Sequence, residues 1–242
     1  MIARHILLAG LAVALAGCGG GSIQKEASAP QQRLVRVDWY GYQCFRIKSS
    51  LGISIVTNPF SPGSTEFSQP KNLSPEIVLI TTENDNANNV DMVESTPQII
   101  RSSVGIGECN AGGVRFLGVP VFKTPNTQDI SGMNVIYRWS MDGLKFCFLG
   151  ELDRIPPQSD LDQIGSVDVL FMPVTGTQLT SPQRQQLIQQ LHPRIVVPMG
   201  SLADMSRFAS GYSSVYHLNG PAALLSRDAL PAVQTVLLFR AP

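Results

Sequence analysis

Two groups of polar residues in this chain carry side chains that could bind a ligand or a metal ion. The first is the segment 82–89, where carboxylates and side-chain amides follow one another with little apolar content. Such oxygens bind Ca²⁺ and small polar molecules, but the segment lacks the glycine and terminal glutamate of the twelve-residue calcium loop. The alternative is a polar loop that caps the next helix through its Asn and Asp side chains. The second consists of Glu151 alone, whose carboxylate could hold a metal, hydrogen-bond to loop amides or pair with Arg154.

The histidines argue against a catalytic zinc centre. The chain has three histidines, and His5 lies in an N-terminal segment that we expect to be removed. His192 is expected at the end of a helix, and His217 lies in a separate stretch near the C-terminus. A catalytic zinc site usually takes three protein ligands, and a site with two ions needs about twice that number. We therefore predict no metal, no cofactor and no catalytic residues, and the chain also lacks a G-x-S-x-G nucleophile motif.

The cysteines outside the N-terminal segment do not indicate a metal site. Cys44 and Cys147 fall in predicted strands and are expected to be buried, and Cys109 is the third thiol. Three thiols allow at most one disulfide, and the spacing does not select a pair. No C-x₂-C spacing is present.

The N-terminus resembles a bacterial lipoprotein signal. A basic start is followed by an apolar run from Ile6 to Ala16, which is too short to span a bilayer comfortably, and Leu15 to Cys18 fits a lipobox. The resemblance implies cleavage before Cys18, lipidation of Cys18 and a flexible tether to residue 32. Gly19 after the cysteine favours the outer membrane, on its periplasmic face, if the cell has two membranes. The alternative is an ordinary secretory signal.

Composition and pattern predict one folded domain over residues 33–242, after a signal peptide (1–17) and a tether (18–32). Hydrophobic residues make up 43% of the chain, so a large core is available, and 18 basic residues balance 18 acidic ones. That balance gives no electrostatic basis for binding nucleic acid. Ser181 is expected to cap the best helix, with Pro182 at its first position, and 89–94 and 159–164 are weaker helices. Buried or alternating strands are predicted at 35–47 (two strands joined at Gly41), 53–57, 76–80, 114–122, 134–139, 145–149, 167–172 and 194–197.

These elements and their motifs resemble metallo-β-lactamase-fold hydrolases, and among them the L-ascorbate-6-phosphate-lactonase-like branch. The resemblance rests on Trp39 to Ile47, Asn58 to Phe60 and Ile77 to Thr81, and it continues to Pro193–Met199. It implies an α/β fold: a single-domain, four-layer αββα sandwich with its site at the rim between two sheets.

The same resemblance places the family's metal ligands on residues that cannot replace them. The H-x-H-x-D-H motif falls on Thr82, Asn84, Asn86 and Ala87, the histidine of the family's P-M-H motif falls on Gly200, and only Glu151 keeps a charge. We expect the former site to persist as a pocket formed by Tyr42, Asn58, Thr82, Asn84, Asn86, Thr124, Glu151 and Gly200.

Two functions are consistent with these residues. The first is a lipid-anchored envelope protein, held in the membrane through Cys18, whose non-catalytic domain binds a protein or a small polar ligand or serves in assembly. The alternative is a hydrolase of lactones or phosphoesters with a rewired metal site.

Overall fold

The computed structural model describes residues 33–101, 104–122 and 132–241. These residues form two β-sheets with three α-helices, and strands are numbered along the chain. The six-stranded sheet has the order β13-β1-β2-β3-β4-β5. Its strands are β1 (Val35–Gly41), β2 (Cys44–Lys48), β3 (Ser54–Thr57), β4 (Ile77–Leu79), β5 (Gln98–Ile100) and β13 (Ala222–Leu225).

The eight-stranded sheet has the order β12-β14-β11-β10-β9-β8-β7-β6. Strands β6 to β9 pair antiparallel, and β9, β10, β11, β14 and β12 pair parallel. The strands are β6 (Gly107–Ala111), β7 (Val114–Phe122), β8 (Met133–Met141), β9 (Leu144–Phe148), β10 (Val169–Pro173), β11 (Ile195–Met199), β12 (Val215–His217) and β14 (Thr235–Leu238).

The hydrophobic core lies between the two sheets. Its largest fully buried side chains are aromatic, and the rings of Phe45 on β2 and Phe171 on β10 meet edge to face with centroids 4.9 Å apart. This contact joins one sheet to the other. The predicted two-sheet α/β sandwich is therefore confirmed.

The α-helices of the described residues cover the eight-stranded sheet. They are α1 (Gln158–Ile164), α2 (Ser181–Leu191) and α3 (Leu202–Ala209). Helix α2 buries Leu187, Ile188 and Leu191, as its spacing predicts. Its N-cap is Thr180, which forms a capping box with Gln183, so the expected cap at Ser181 was wrong by one residue. None of these helices is long and apolar enough to cross a lipid bilayer.

The outer face of the six-stranded sheet is covered by loops instead of an α-helix. The loops before and after β4, residues 58–76 and 80–97, lie there around a second apolar cluster that includes Cys44, Val56 and Phe60. These two loops contain five prolines, which disfavour a helix, and the predicted helix at 89–94 is only a 3₁₀ turn at Val90–Met92. The fourth layer is thus irregular.

Candidate functional site

The loops that follow several strands meet at one edge of the sandwich. Asn58 follows β3, Thr82 follows β4, Glu151 follows β9 and Gly200 follows β11. Parallel strands bring their carboxyl ends to the same edge of a sheet, where α/β proteins commonly place their sites. We call the set Tyr42, Asn58, Thr82, Asn84, Asn86, Glu151 and Gly200 the strand-end site.

Asn58 connects the loops that follow β1, β3 and β4. Its side-chain Nδ2 donates to Gln43 Oε1 at 2.8 Å and to Thr81 Oγ1 at 2.9 Å, and its Oδ1 accepts the Thr81 N–H at 3.0 Å. Its backbone has a φ of +38°, which Asn tolerates better than most residues. Asn58, Gln43, Thr81 and Thr82 are all buried, so this network forms a fixed floor beneath the site.

Asn134 performs the same task for the loop after β9. Its Nδ2 donates to the Leu149 carbonyl at 2.9 Å, and its Oδ1 accepts the Glu151 N–H at 2.8 Å. Gly150 between them has a φ of +61°, and a Cβ there would lie 2.4 Å from both Asn134 Oδ1 and Thr81 Oγ1. Only glycine fits this turn, which fixes the direction of the Glu151 side chain.

Glu151 accepts a hydrogen bond from an amide. Asn84 Nδ2 donates to Glu151 Oε2 at 2.5 Å, and Glu151 is 8% exposed. A hydrogen bond from an amide stabilises the charged form of a carboxylate. Hydrogen bonding to a loop amide, one of the alternatives for Glu151, is therefore found. The Arg154 Nε donates to the Phe122 carbonyl at 2.8 Å.

Tyr42 closes one side of the site. It forms an isolated antiparallel β-bridge with Gly200, and its backbone has a φ of +49°. Burial raises the pKa of the Tyr42 hydroxyl, the Glu151 and Asp204 carboxylates raise it further, and a hydrogen bond with Asn86 opposes the rise. Tyr42 is therefore a neutral hydrogen-bonding group at physiological pH.

Asn86 Oδ1, an acceptor, and Gln43 Nε2, a donor, are buried here without a hydrogen-bond partner among the residues that the structure describes. Unpaired buried polar atoms are uncommon in folded proteins and often mark the place of a bound water or ligand. The site thus has free capacity both to donate and to accept.

The first turn of α3, which follows β11, contributes a second carboxylate that the sequence did not reveal. Asp204 Oδ2 accepts the hydroxyls of Thr175 at 2.7 Å and Ser201 at 3.0 Å, and Arg207 pairs with Oδ1 at 2.6 Å. The Thr175 hydrogen bond is the main cause that lowers the pKa of Asp204, although burial opposes it. The spacing of Ser201 and Asp204 is an N-cap signature that could have predicted α3.

The residues present do not fit the zinc centre that the fold implies. A side chain at Gly200, where a histidine ligand is expected, has no room because its Cβ would lie 2.2 Å from Thr175 Oγ1. Ala87 and Thr82 are buried, and Asn84 already donates to Glu151. Among residues 33–101, 104–122 and 132–241, no three His, Cys, Asp or Glu side chains are grouped to hold an ion. Neutral amide oxygens are weak zinc ligands.

The remaining residues singled out from the sequence have varied positions. Thr124 and Cys18 lie outside the described residues. The loop at 82–89 does not cap the next 3₁₀ turn, since Asn89 makes no side-chain cap and donates instead to the Phe60 carbonyl at 3.2 Å. The three described thiols are free, with Cys44 and Cys147 buried as expected. His192 ends α2 and His217 is exposed on β12.

Comparison with known proteins bears on the origin of this site. The sequence matches the family described as the beta-lactamase superfamily domain over residues 36–200. No curated protein gives a significant match.

Three solved structures share the fold. A Thermotoga maritima protein described as a zinc-dependent hydrolase of the metallo-β-lactamase superfamily has a TM-score of 0.68 at 22% identity, covering 86% of this chain and 100% of its own. A Parabacteroides distasonis protein described as a metal-dependent hydrolase has a TM-score of 0.57 at 15% identity, covering 74% of this chain and 88% of its own. Igni18, a metallo hydrolase from Ignicoccus hospitalis, has a TM-score of 0.57 at 18% identity, covering 80% of this chain and 99% of its own. At these identities the similarity concerns the fold alone.

Proposed function

This chain belongs to the β-lactamase superfamily, and we propose that it is a lipid-anchored, non-catalytic member whose strand-end site binds a small polar ligand. The single observation that carries the proposal is the hydrogen bond from the Asn84 amide to the Glu151 carboxylate, at the place where metallo-hydrolases of this fold need a cation. A hydrolase of lactones or phosphoesters is the alternative function.

The loss of ligands is coordinated in space. Thr175 leaves no room for a side chain at Gly200, and the Asn84 amide is already bonded to Glu151, so restoring one histidine would not restore a centre. A zinc hydrolase depends on the ion to polarise its substrate and to produce hydroxide at neutral pH. These residues supply neither function, whereas their buried hydrogen-bond network is rigid and suited to binding.

The chemistry of the site favours a ligand rich in hydroxyl groups. The Tyr42 hydroxyl stays neutral, Asn86 Oδ1 can accept and Gln43 Nε2 can donate. A hydroxyl group both donates and accepts, so polyols and sugars match this mixture better than a strong anion would. The nearby carboxylate of Glu151 would repel an anion.

The proposed anchor is the lipid on Cys18, at the end of a polar tether. Two or three acyl chains hold a protein stably on a bilayer, which a single chain does not. The domain would then be confined to the cell envelope, and Gly19 favours the outer membrane where there is one.

Metal analysis tests the proposal most directly. The full chain is purified without chelator, with the Thermotoga maritima relative in parallel as the control for metal retention. We expect no stoichiometric zinc, manganese or iron, no hydrolysis of lactones or phosphodiesters, and the same melting temperature with and without EDTA. About one metal ion per chain, or a clear fall of the melting temperature in EDTA, would favour the hydrolase.

Ligand binding is tested by thermal shift against a panel of monosaccharides and polyols. A compound that binds the strand-end site should lose its effect in Tyr42→Phe, which removes only the hydroxyl. Tyr40→Phe, on the neighbouring strand β1, is the matched control and should respond like the wild type. Stabilisation that persists unchanged in Tyr42→Phe would place the ligand elsewhere.

Anchoring is tested by Cys18→Ser. The variant should incorporate no labelled palmitate and should remain unprocessed or become soluble. Recovery of a processed variant in the membrane pellet would refute the lipid anchor.

A further inference from the structure

A separate cavity of about 170 Å³ lies between α2 and α3. Arg184 from α2 and Phe208 from α3 line it, together with Tyr212 after α3 and Val174 after β10. It adjoins the strand-end site through Asp204, which also lines it. Its volume is close to the roughly 150 Å³ of a protein cavity that binds benzene, so it suits one small ring.

The cavity contains an arginine without a partner. Arg184 makes no side-chain hydrogen bond to any described residue, and its Nε is buried and unpaired. Burial is the main cause that lowers the pKa of Arg184, and the nearby Tyr212 and Asp204 oppose the shift without a hydrogen bond to the guanidinium. A guanidinium offers a planar pair of donors that fits a carboxylate.

The other charged groups of the cavity are already neutralised by one another. Asp204 is engaged by Thr175, Ser201 and Arg207, the last of these at 2.6 Å. The free charge facing the cavity is therefore the single positive charge of Arg184. Ser181 in the first turn of α2 lines the same space, and the N-terminus of a helix adds a partial positive charge.

One wall of the cavity is aromatic. The rings of Phe208 and Tyr212 lie with centroids 4.8 Å apart, and Val174 extends the apolar surface. A small inorganic anion would leave this wall without a contact, whereas a flat ring would cover it.

We propose that this cavity binds a small carboxylate with a flat apolar body, its carboxylate on Arg184 and its body against Phe208 and Tyr212. The strand-end site, with the Glu151 carboxylate and neutral amides, would repel such a ligand. The chain thus has two recognition sites of different chemistry that share Asp204 at their boundary.

Isothermal titration of the full chain in detergent tests the proposal with benzoate as the probe. Benzamide has the same shape without the charge, and inorganic phosphate has charge without the ring. We expect benzoate to bind one per chain with a Kd of about 1 mM or tighter, and each comparator to bind at least about tenfold more weakly. Benzoate binding no tighter than benzamide, or phosphate binding as tightly as benzoate, would overturn the proposal.

Variants locate the site. Arg184→Gln should weaken benzoate at least about tenfold, because the ligand loses a charged hydrogen-bond partner. Arg115→Gln removes an exposed arginine on β7 and should bind as the wild type does. Equal affinity in Arg184→Gln would overturn the assignment.

A measurement on the wild-type chain covers the case in which Arg184→Gln does not fold. Benzoate should shift backbone amide resonances in α2 and α3 and leave those of β1 unchanged. Shifts confined to other elements would overturn the proposal. Metal content does not enter these outcomes, so they are independent of the metal test of the proposed function.

Discussion

Replacing Asn84 by aspartate tests whether a hydrogen bond from Asn84 stabilises Glu151. Asn84 Nδ2 donates to Glu151 Oε2 at 2.5 Å, and Glu151 is 8% exposed. Asn84→Asp preserves the shape of the side chain but replaces the donor with a second carboxylate. Two negative charges would then face each other in a largely buried space.

The expected cost follows from three quantities. The lost hydrogen bond to a charged group contributes about 1.5–3 kcal/mol. Two charges about 4 Å apart repel by about 4 kcal/mol at an effective dielectric constant of about 20. The protein can avoid this repulsion by binding one proton, which at pH 7 costs about 4 kcal/mol for a carboxyl with a pKa of about 4. Protonation limits the loss, because the neutral carboxyl again donates a hydrogen bond, so we expect the free energy of unfolding to fall by about 4 kcal/mol at pH 7.

The loss should depend on pH with a defined sign. The introduced carboxyl has a raised pKa in the folded state, so the native protein keeps a proton that the unfolded chain releases. The difference from wild type should be small below about pH 4 and should grow by about 1.4 kcal/mol per pH unit until the raised pKa is passed.

Urea unfolding at about pH 4, 5.5 and 7 measures this difference. Asn110→Asp introduces the same charge at an exposed position of β6 and should change stability by less than about 0.5 kcal/mol. A calcium series extends the test, because facing carboxylates bind Ca²⁺ and about 10 mM should restore stability to Asn84→Asp alone. A variant as stable as wild type at every pH, or a wild type that calcium stabilises equally, would refute the reasoning.

Three further predictions concern other parts of the fold. Gly200→Ala should lower the free energy of unfolding by about 3 kcal/mol or more, since its Cβ would lie 2.2 Å from Thr175 Oγ1. The control is Gly63→Ala, where φ is +78° but the space is open, and it should lower the free energy of unfolding by only about 1 kcal/mol. If urea unfolding gives equal losses for the two variants, the predicted clash at Gly200 is contradicted. Iodoacetamide at about pH 8 should modify the half-buried Cys109 before the buried Cys44 and Cys147, because burial raises the pKa of Cys147 to about 12. Peptide mapping measures the order of labelling, and early labelling of Cys147 would contradict the prediction. Asp38→Asn should lower the free energy of unfolding, measured in urea, by about 1–3 kcal/mol, because Asp38 is only 5% exposed and pairs with the partly solvated Arg36 and Arg46. The control Asp228→Asn changes an exposed residue and should leave the stability unchanged.

Local signals in the sequence predicted most strands well. Asp142 and Gly143 form a two-residue hairpin turn with φ values of +50° and +82°, a turn for which Asp-Gly is a strong signal. By contrast, β13 consists of Ala and Leu, which favour helices, and it becomes a strand because β1 offers a free edge. That choice depends on tertiary contacts that a local pattern does not contain.

The positions at the strand-end site could be inferred from the order of the strands, but their contacts could not. That Asn84 donates to Glu151 depends on how two loops far apart in sequence approach one another. Gln43 and Thr81 gave no signal, because a buried amide or hydroxyl resembles any polar turn residue until its partners are known. The cavity at Arg184 requires the packing of α2 against α3, which periodicity along either helix does not give.

The pairing of β13 with β1 has a consequence for the time at which this protein can fold. Val35 at the start of the first strand lies opposite Leu225, so the six-stranded sheet joins the two ends of the described domain. Closing so long a loop carries a large entropic cost before any contact repays it, and folds with many such contacts form slowly. During synthesis β1 can pair with β2 early, whereas β13 becomes available only after nearly the whole chain has left the ribosome. The six-stranded sheet can therefore be completed only near the end of translation.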